Sequence, residues 1–389
     1  MLAATIGIGT GMSTAGTVTS VLAPSLIEGN HWAKSDFAAV GILGLCSTLA
    51  FPFIGRLADV LGVRWTALIG QVTLPLCYLA YATLMHGSLP IYMAIFVVQS
   101  VLCVTTTATV YTRLAVEYCS KARGLALAIV VSGSAIFGAI GGPILNQYVE
   151  SHGWEATYRA LAIFATIAAV IVFLLIPAGA GRGRSDAPKR RARDDYPMIF
   201  RSSAFWILAA VMLLCNLPQT LLLVQLKLLL LDNGVSGPQA SVMFTALSVG
   251  MLAGRFLTGL ALDRFEPVLV AFVTLGLPSL GIFIIASSLD GVGILTFAVF
   301  CMGFAFGAEG DIVAFLVAKR FGLEVYSSVM GLLTAIMSLS TSLGAGLLSL
   351  TLTRTGNYNL FLVISGTAVI AGAALLLTLK GEKRQAVTA

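Results

Sequence analysis

The chain has 389 residues, of which 58% are hydrophobic and only 10% charged, with a mean hydropathy of +0.96 and a formal net charge of +6. A soluble domain covers its surface with about 25% charged residues, so a soluble globular protein is excluded. The positive balance does not indicate a nucleic-acid partner, because the basic residues sit in short segments beside apolar runs, where they set membrane orientation.

Apolar runs of about twenty residues cross a bilayer as helices, since only a helix or a closed barrel satisfies its own backbone groups in lipid. In chain order the predicted spans are 2–27, 36–56, 65–86, 90–116, 124–149 and 157–177, then 204–231, 237–262, 267–288, 292–318, 327–352 and 359–380. Span one starts near Met1 without a basic leader and is longer than a signal core, so it is read as a true span. Its middle, Gly9 to Thr17, is small and weakly polar, and Thr14 and Thr17 are candidates to line a cavity.

Span two ends in a charged turn, Gly55-Arg56-Leu57-Ala58-Asp59-Val60-Leu61-Gly62-Val63-Arg64. A second copy, Gly259-Leu260-Ala261-Leu262-Asp263-Arg264, follows span eight, 204 positions later. One Gly-x-x-x-Asp at the end of an apolar run in each half indicates a duplicated chain. The Gly allows a close helix contact, and the Asp can cap or charge-pair a neighbouring helix end.

Span four carries Thr105, Thr106, Thr107, Thr109 and Tyr111, with Arg113 near its inner end. Arg113 is expected to snorkel toward the headgroups or to join a charge pair. Residues 178–203 hold seven Lys or Arg among Gly, Ser and Pro, which reads as a hydrophilic linker touching lipid headgroups at most. The domains are then 1–177, the linker 178–203, 204–380 and a tail 381–389. Span seven holds Asn216, Pro218, Gln219 and Gln225, and Pro218 is expected to break or kink it.

Arg255 stands inside span eight. A cation there costs roughly 2.5–3.5 kcal/mol on insertion scales, so it needs a partner or a wet cavity, and its planar fork suits a carboxylate. Glu309 and Asp311 share span ten. Two positions apart, they point about 200° away from each other, so one is expected to face Arg255 and the other the cavity or a neighbouring helix. Burial favours the protonated form of a carboxyl group, which makes this pair, with Arg113, the candidates for proton coupling or charge pairing.

Of the 23 Lys and Arg, 17 fall on one side of these spans, which places both termini and the linker in the cytoplasm. The six cysteines form no C-x-x-C and read as small core residues. No G-x-S-x-G, H-E-x-x-H or P-loop pattern occurs, so no enzyme, metal or cofactor is expected.

Twelve spans, a 6+6 division, a basic central segment and paired turns resemble the major facilitator superfamily. The first turn is similar to that family's loop pattern at Gly55, Asp59, Gly62 and Arg64, departing at Val60 and Trp65; Gly259, Asp263 and Arg264 form its second copy. Arg123 to Ile129 with Ser132-Gly133, then Gly153-Trp154, Gly254-Arg255 and Gly307-Ala308-Glu309, resemble the monocarboxylate and oxalate:formate branch. The resemblance implies an all-α membrane protein of twelve transmembrane helices in two pseudo-symmetric six-helix bundles. It also implies alternating access, with the turns acting as gates, and a substrate carboxylate on Arg255. The expectation is a monomeric secondary transporter of the bacterial inner membrane moving a small organic anion, with protons as candidate coupling ion. Arg255, Asn216, Gln219, Tyr111, Thr14 and Thr17 are its candidate site. A drug exporter of the same fold and a non-transporting membrane sensor are the alternatives.

Overall fold

The computed structural model describes residues 1–32, 37, 40–119, 122–180, 192–287 and 291–381. The basic run of the linker from Arg182 to Arg191, Lys34 and the tail beyond Gly381 lie outside the described residues. Every regular element among the described residues is helical.

The helices are α1 (Leu2–Gly9), α2 (Ala15–Asn30), α3 (Leu45–Leu61), α4 (Val63–Leu84), α5 (Leu89–Leu102), α6 (Ala108–Tyr118), α7 (Arg123–Val131) and α8 (Gly133–Leu175). They continue with α9 (Ala192–Arg201), α10 (Ser203–Cys215), α11 (Leu226–Asp232), α12 (Gly237–Arg264), α13 (Pro267–Ala286), α14 (Val292–Phe321), α15 (Tyr326–Thr355) and α16 (Asn359–Leu376). The predicted turn between spans five and six is a single residue, Gly153, at φ 79° and ψ 170°, inside α8. Only glycine takes that conformation without strain.

Nine helices among the described residues are long and apolar enough to cross a membrane, or ten when the bent pair Asp195–Arg201 and Ser203–Cys215 counts as one. The predicted spans one, two and seven occur instead as shorter pieces. Span one was expected to be continuous. It is interrupted between Gly9 and Ala15 by a 3-10 turn, Met12–Thr14, and the Met12 N–H donates to Thr106 Oγ1 at 2.9 Å. Span four is interrupted in turn at Cys103–Thr106. Glycine and threonine explain both breaks: they hold helices weakly, and Thr hydroxyls offer backbone groups other partners. Span seven breaks after Cys215 and resumes through a wide π-type turn, Leu221–Gln225. Pro218 has no N–H for the helical ladder and enforces that interruption.

The chain forms two compact units. One comprises Met1–Ser120, Ile129–Arg190 and Leu323–Leu332; the other comprises Lys121–Ala128, Arg191–Gly322 and Leu333–Ala389. Each contains the start of a helix whose remainder belongs to the other: α15 begins in the first unit, α7 in the second. The core of the first unit is aromatic, with Tyr81 4.8 Å from Tyr92 and 4.9 Å from Tyr158 between ring centroids. That of the second is mostly aliphatic, built around Leu229, Ile282 and Met302, with Phe361 among them.

Candidate functional site

The second unit holds two buried carboxylates on α14, and glycines set how closely its neighbours approach. Gly250 and Gly254 stand one turn apart on α12, as do Gly303 and Gly307 on α14. A Cβ at any of them would strike the backbone of the opposite helix at Phe300, Phe304, Leu247 or Met251. Small residues one turn apart bring two backbones together in this way in lipid.

The contact delivers Arg255 to α14. Its Nε donates to the Gly307 carbonyl at 3.1 Å and lies 3.7 Å from Asp311 Oδ2. Asp311 is fully buried, and neither of its oxygens has a hydrogen-bond partner among the described residues. Arg255 is 15% exposed, and its terminal nitrogens carry no protein acceptor among the described residues. The pair therefore has Coulomb attraction without the fork-on-carboxylate bonding that makes such pairs strong.

Glu309 faces elsewhere. Asn216 Nδ2 donates to Oε1, and Gln219 Nε2 donates to Oε2 at 2.9 Å. Both amides come from the interruption between α10 and the π-type turn. Thr341 Oγ1 on α15 donates to Gln219 Oε1 at 3.2 Å. This corrects one expectation: Asn216 and Gln219 do not complete a pocket around Arg255 but converge on the other carboxylate. Helical phase separates the two acids, and the broken span faces only Glu309.

The first unit gathers the remaining polar candidates. Tyr111 is fully buried, takes a hydrogen bond from Gln71 Nε2 and fills the space left by Gly7, so it is packed between helices. Thr10, Gly11, Gln71 and Thr106 line a small cleft where the two interrupted spans meet. Thr14 turns its hydroxyl onto the Gly11 carbonyl at 2.9 Å, and Thr17 is exposed on α2. Neither joins the cleft, because the break before Ala15 resets the helical phase that sequence spacing assumed.

Of the two expectations for Arg113, snorkelling and a charge pair, the geometry is that of a pair: Arg113 is 2% exposed and pairs with Asp59, whose side chain is equally buried. Its reach is spent inward because that carboxylate stands within the bundle. Asp59 also accepts the N–H groups of Ser327 at 3.0 Å and Ser328 at 2.6 Å, the second and third residues of α15. Asp263 repeats the arrangement with Gly124 at 2.8 Å and Leu125 at 3.0 Å, the second and third residues of α7. Each Asp thus caps a helix start from a distant part of the sequence, filling the first-turn donors that a helix cannot satisfy itself.

The glycine one turn earlier admits that helix: a Cβ on Gly55 would strike the Ser327 carbonyl, and one on Gly259 would come within 2.8 Å of the Gly124 carbonyl. Gly62 ends α3 at φ 83°. Arg64 places its guanidinium 4.2 Å from the Phe173 ring centre, so this motif cation is taken up by an aromatic face. Arg264 is exposed in the last turn of α12, where a cation suits the helix dipole. Sequence reasoning missed Ser327, Ser328, Thr341 and Gln71. Only the first two carried a signal, a Ser-Ser pair opening an apolar run.

Comparison with known proteins adds a family and a fold. The profile of the Major Facilitator Superfamily matches residues 3–307 and 208–389. The chain is 26% identical over 351 residues to an uncharacterized 38 kDa protein in the 23S RNA operon of Thermoproteus tenax, covering 89% of this chain and 86% of that protein. It is 22% identical to Monocarboxylate transporter 11 of Homo sapiens over 370 residues, 92% and 77% of the two chains. In structure it is similar to the proton:xylose symporter XylE bound to 6-bromo-6-deoxy-D-glucose, at a TM-score of 0.77 and 12% identity over 97% and 94% of the chains. It is also similar to the human organic anion transporter MFSD10 (TETRAN), at a TM-score of 0.67 and 16% identity over 97% of each.

Proposed function

We propose, on the premise that the chain belongs to the major facilitator superfamily and is a secondary transporter and not an enzyme, that its substrate is a small organic anion held by Arg255. The observation that carries this reading is a nearly buried guanidinium bonded through Nε alone, 3.7 Å from a carboxylate it does not hydrogen-bond. Such a fork accepts a ligand carboxylate in two parallel bonds. The names of the human relatives, monocarboxylate transporters 10 and 11, support the class.

In this reading Asp311 neutralises Arg255 while the site is empty. An arriving carboxylate takes over the guanidinium, and Asp311, left buried without a counter-charge, takes a proton. Anion and proton then move together. The paired turns serve as gates: Asp59 and Asp263 hold helix starts in one state of the cycle and release them in another. The protein works as a monomer with both termini in the cytoplasm. Cysteines placed at 188 and 290 label from opposite sides of the membrane if that orientation holds.

The test is uptake of labelled organic acids into proteoliposomes with and without a pH gradient. Arg255→Lys should weaken carboxylate binding by about 1.5–3 kcal/mol, because a point charge cannot reproduce the fork. Asp311→Asn should abolish the pH dependence and leave exchange. Unchanged carboxylate affinity in Arg255→Ala, with uptake of neutral or cationic drugs, would replace this reading with the exporter.

A further inference from the structure

We propose that Glu309, together with Asn216, Gln219 and Thr341, forms a sodium-ion site distinct from the anion site at Arg255. The proposal goes beyond the anion reading and does not depend on it.

Charge is the first argument. Arg255 is committed to Asp311, and no cationic side chain is paired with Glu309 among the described residues. Glu309 is only 5% exposed. A carboxylate this deep without a counter-charge is costly, and a bound cation removes that cost.

The local backbone adds to the pull. Asn216 is the carboxyl-terminal cap of α10, so the partial negative end of that helix lies beside the acid. Pro218 has no N–H to offer the Leu214 carbonyl, four residues earlier, which frees an acceptor at the break. Carbonyls at an interrupted span and the carboxyl end of a half-helix are the groups that hold small cations inside transporters.

The side chains supply the rest of the shell. Asn216 is fully buried, and its Oδ1 has no hydrogen-bond partner among the described residues. Gln219 Oε1 is met by the Thr341 hydroxyl at 3.2 Å. Amide groups exchange oxygen for nitrogen by a half-turn of the terminal torsion. With the ion absent the amide nitrogens face Glu309. With it bound the amide oxygens join the carboxylate and the Thr341 hydroxyl around it. A cleft lined by Cys215, Pro218, Gln219, Met302, Phe306 and Glu309 reaches the acid from one side.

A proton meets these observations less well. Both Glu309 oxygens accept amide N–H groups, the arrangement of an ionised carboxylate.

The experiment compares thermal unfolding of the purified full chain in sodium chloride and choline chloride at equal ionic strength, alongside equilibrium binding of radioactive sodium. Wild type and Arg255→Lys should both show a sodium-specific rise in Tm of at least about 2 °C and saturable sodium binding. Glu309→Gln should lose both while unfolding in choline close to the wild-type temperature. If Glu309→Gln fails to fold, Asn216→Ala and Gln219→Ala carry the test, and each should weaken sodium binding several-fold. Equal Tm in sodium and choline for the wild type overturns the proposal. So does a sodium effect that survives in Glu309→Gln, or a pH dependence of Tm that vanishes in Glu309→Gln with no sodium effect, which would make Glu309 a proton site. Loss of carboxylate selectivity with sodium binding intact would remove the anion reading alone.

Discussion

Asp59 and Asp263 do the same backbone work in different electrical surroundings. Each accepts the second and third N–H groups of a helix, and each follows by one turn the glycine that lets that helix approach. Around the first, Arg113 is buried and charge-paired. The residue 204 positions after Arg113 is Val317, fully buried, and Asp263 is held by the two amides alone among the described residues. Both turns therefore carry the glycine and the cap, while among the described residues only the first carries an ion pair. The first turn is held by charge and cap together, the second, among the described residues, by the cap alone.

Removing Arg113 attacks that difference most directly. Arg113→Ala leaves Asp59 buried without its cation and should cost about 3–5 kcal/mol, measured as thermal unfolding in detergent. Adding Asp59→Asn to it should restore most of the loss. Val317→Ala, with no charge involved, should be much milder. Asp59→Asn alone should slow transport while leaving substrate affinity within a few-fold; unchanged turnover would make the first turn a static lock.

The glycines come next. Gly55→Ala forces a methyl onto the Ser327 carbonyl and should cost about 1–3 kcal/mol, the usual range for overpacking. Gly259→Ala meets its nearest atom at 2.8 Å and should fall at the lower end. Equal losses at the two sites would show that the copies are packed alike. Asp263→Asn keeps one acceptor and strands no cation among the described residues, so a loss of about 0.5–2 kcal/mol, typical of a weakened cap, is expected. Arg264→Gln, at an exposed position, should leave both unfolding and turnover unchanged.

Much of this was legible in the sequence because it is local. Scarce charge and long apolar runs give a helical membrane protein, and the spacing of Gly55 from Asp59 already puts both on one helix face. What was not legible depends on partners far along the chain. Nothing near Arg113 shows that Asp59, 54 residues earlier, will hold it. Spacing separates Glu309 from Asp311 but cannot say which helix each one meets, so Asn216 and Gln219 were assigned to the wrong charge. The interruptions of spans one and four were written in their Gly and Thr runs. The run in span one suggests cavity lining as readily as a break, because small polar residues serve both purposes.

The glycine contact between α12 and α14 has a kinetic meaning. Where backbone touches backbone, no layer of side chains separates the two helices. Arg255 and Asp311 stand on these two helices, with the guanidinium already 3.7 Å from the carboxylate. A change of partner by the guanidinium is then a rotation of side-chain torsions, an event that takes picoseconds to nanoseconds when a side chain is free to turn. In the proposed reading the exchange of counter-ions would keep pace with every slower motion of the protein, and the release of helix starts from their caps would set the pace of the cycle.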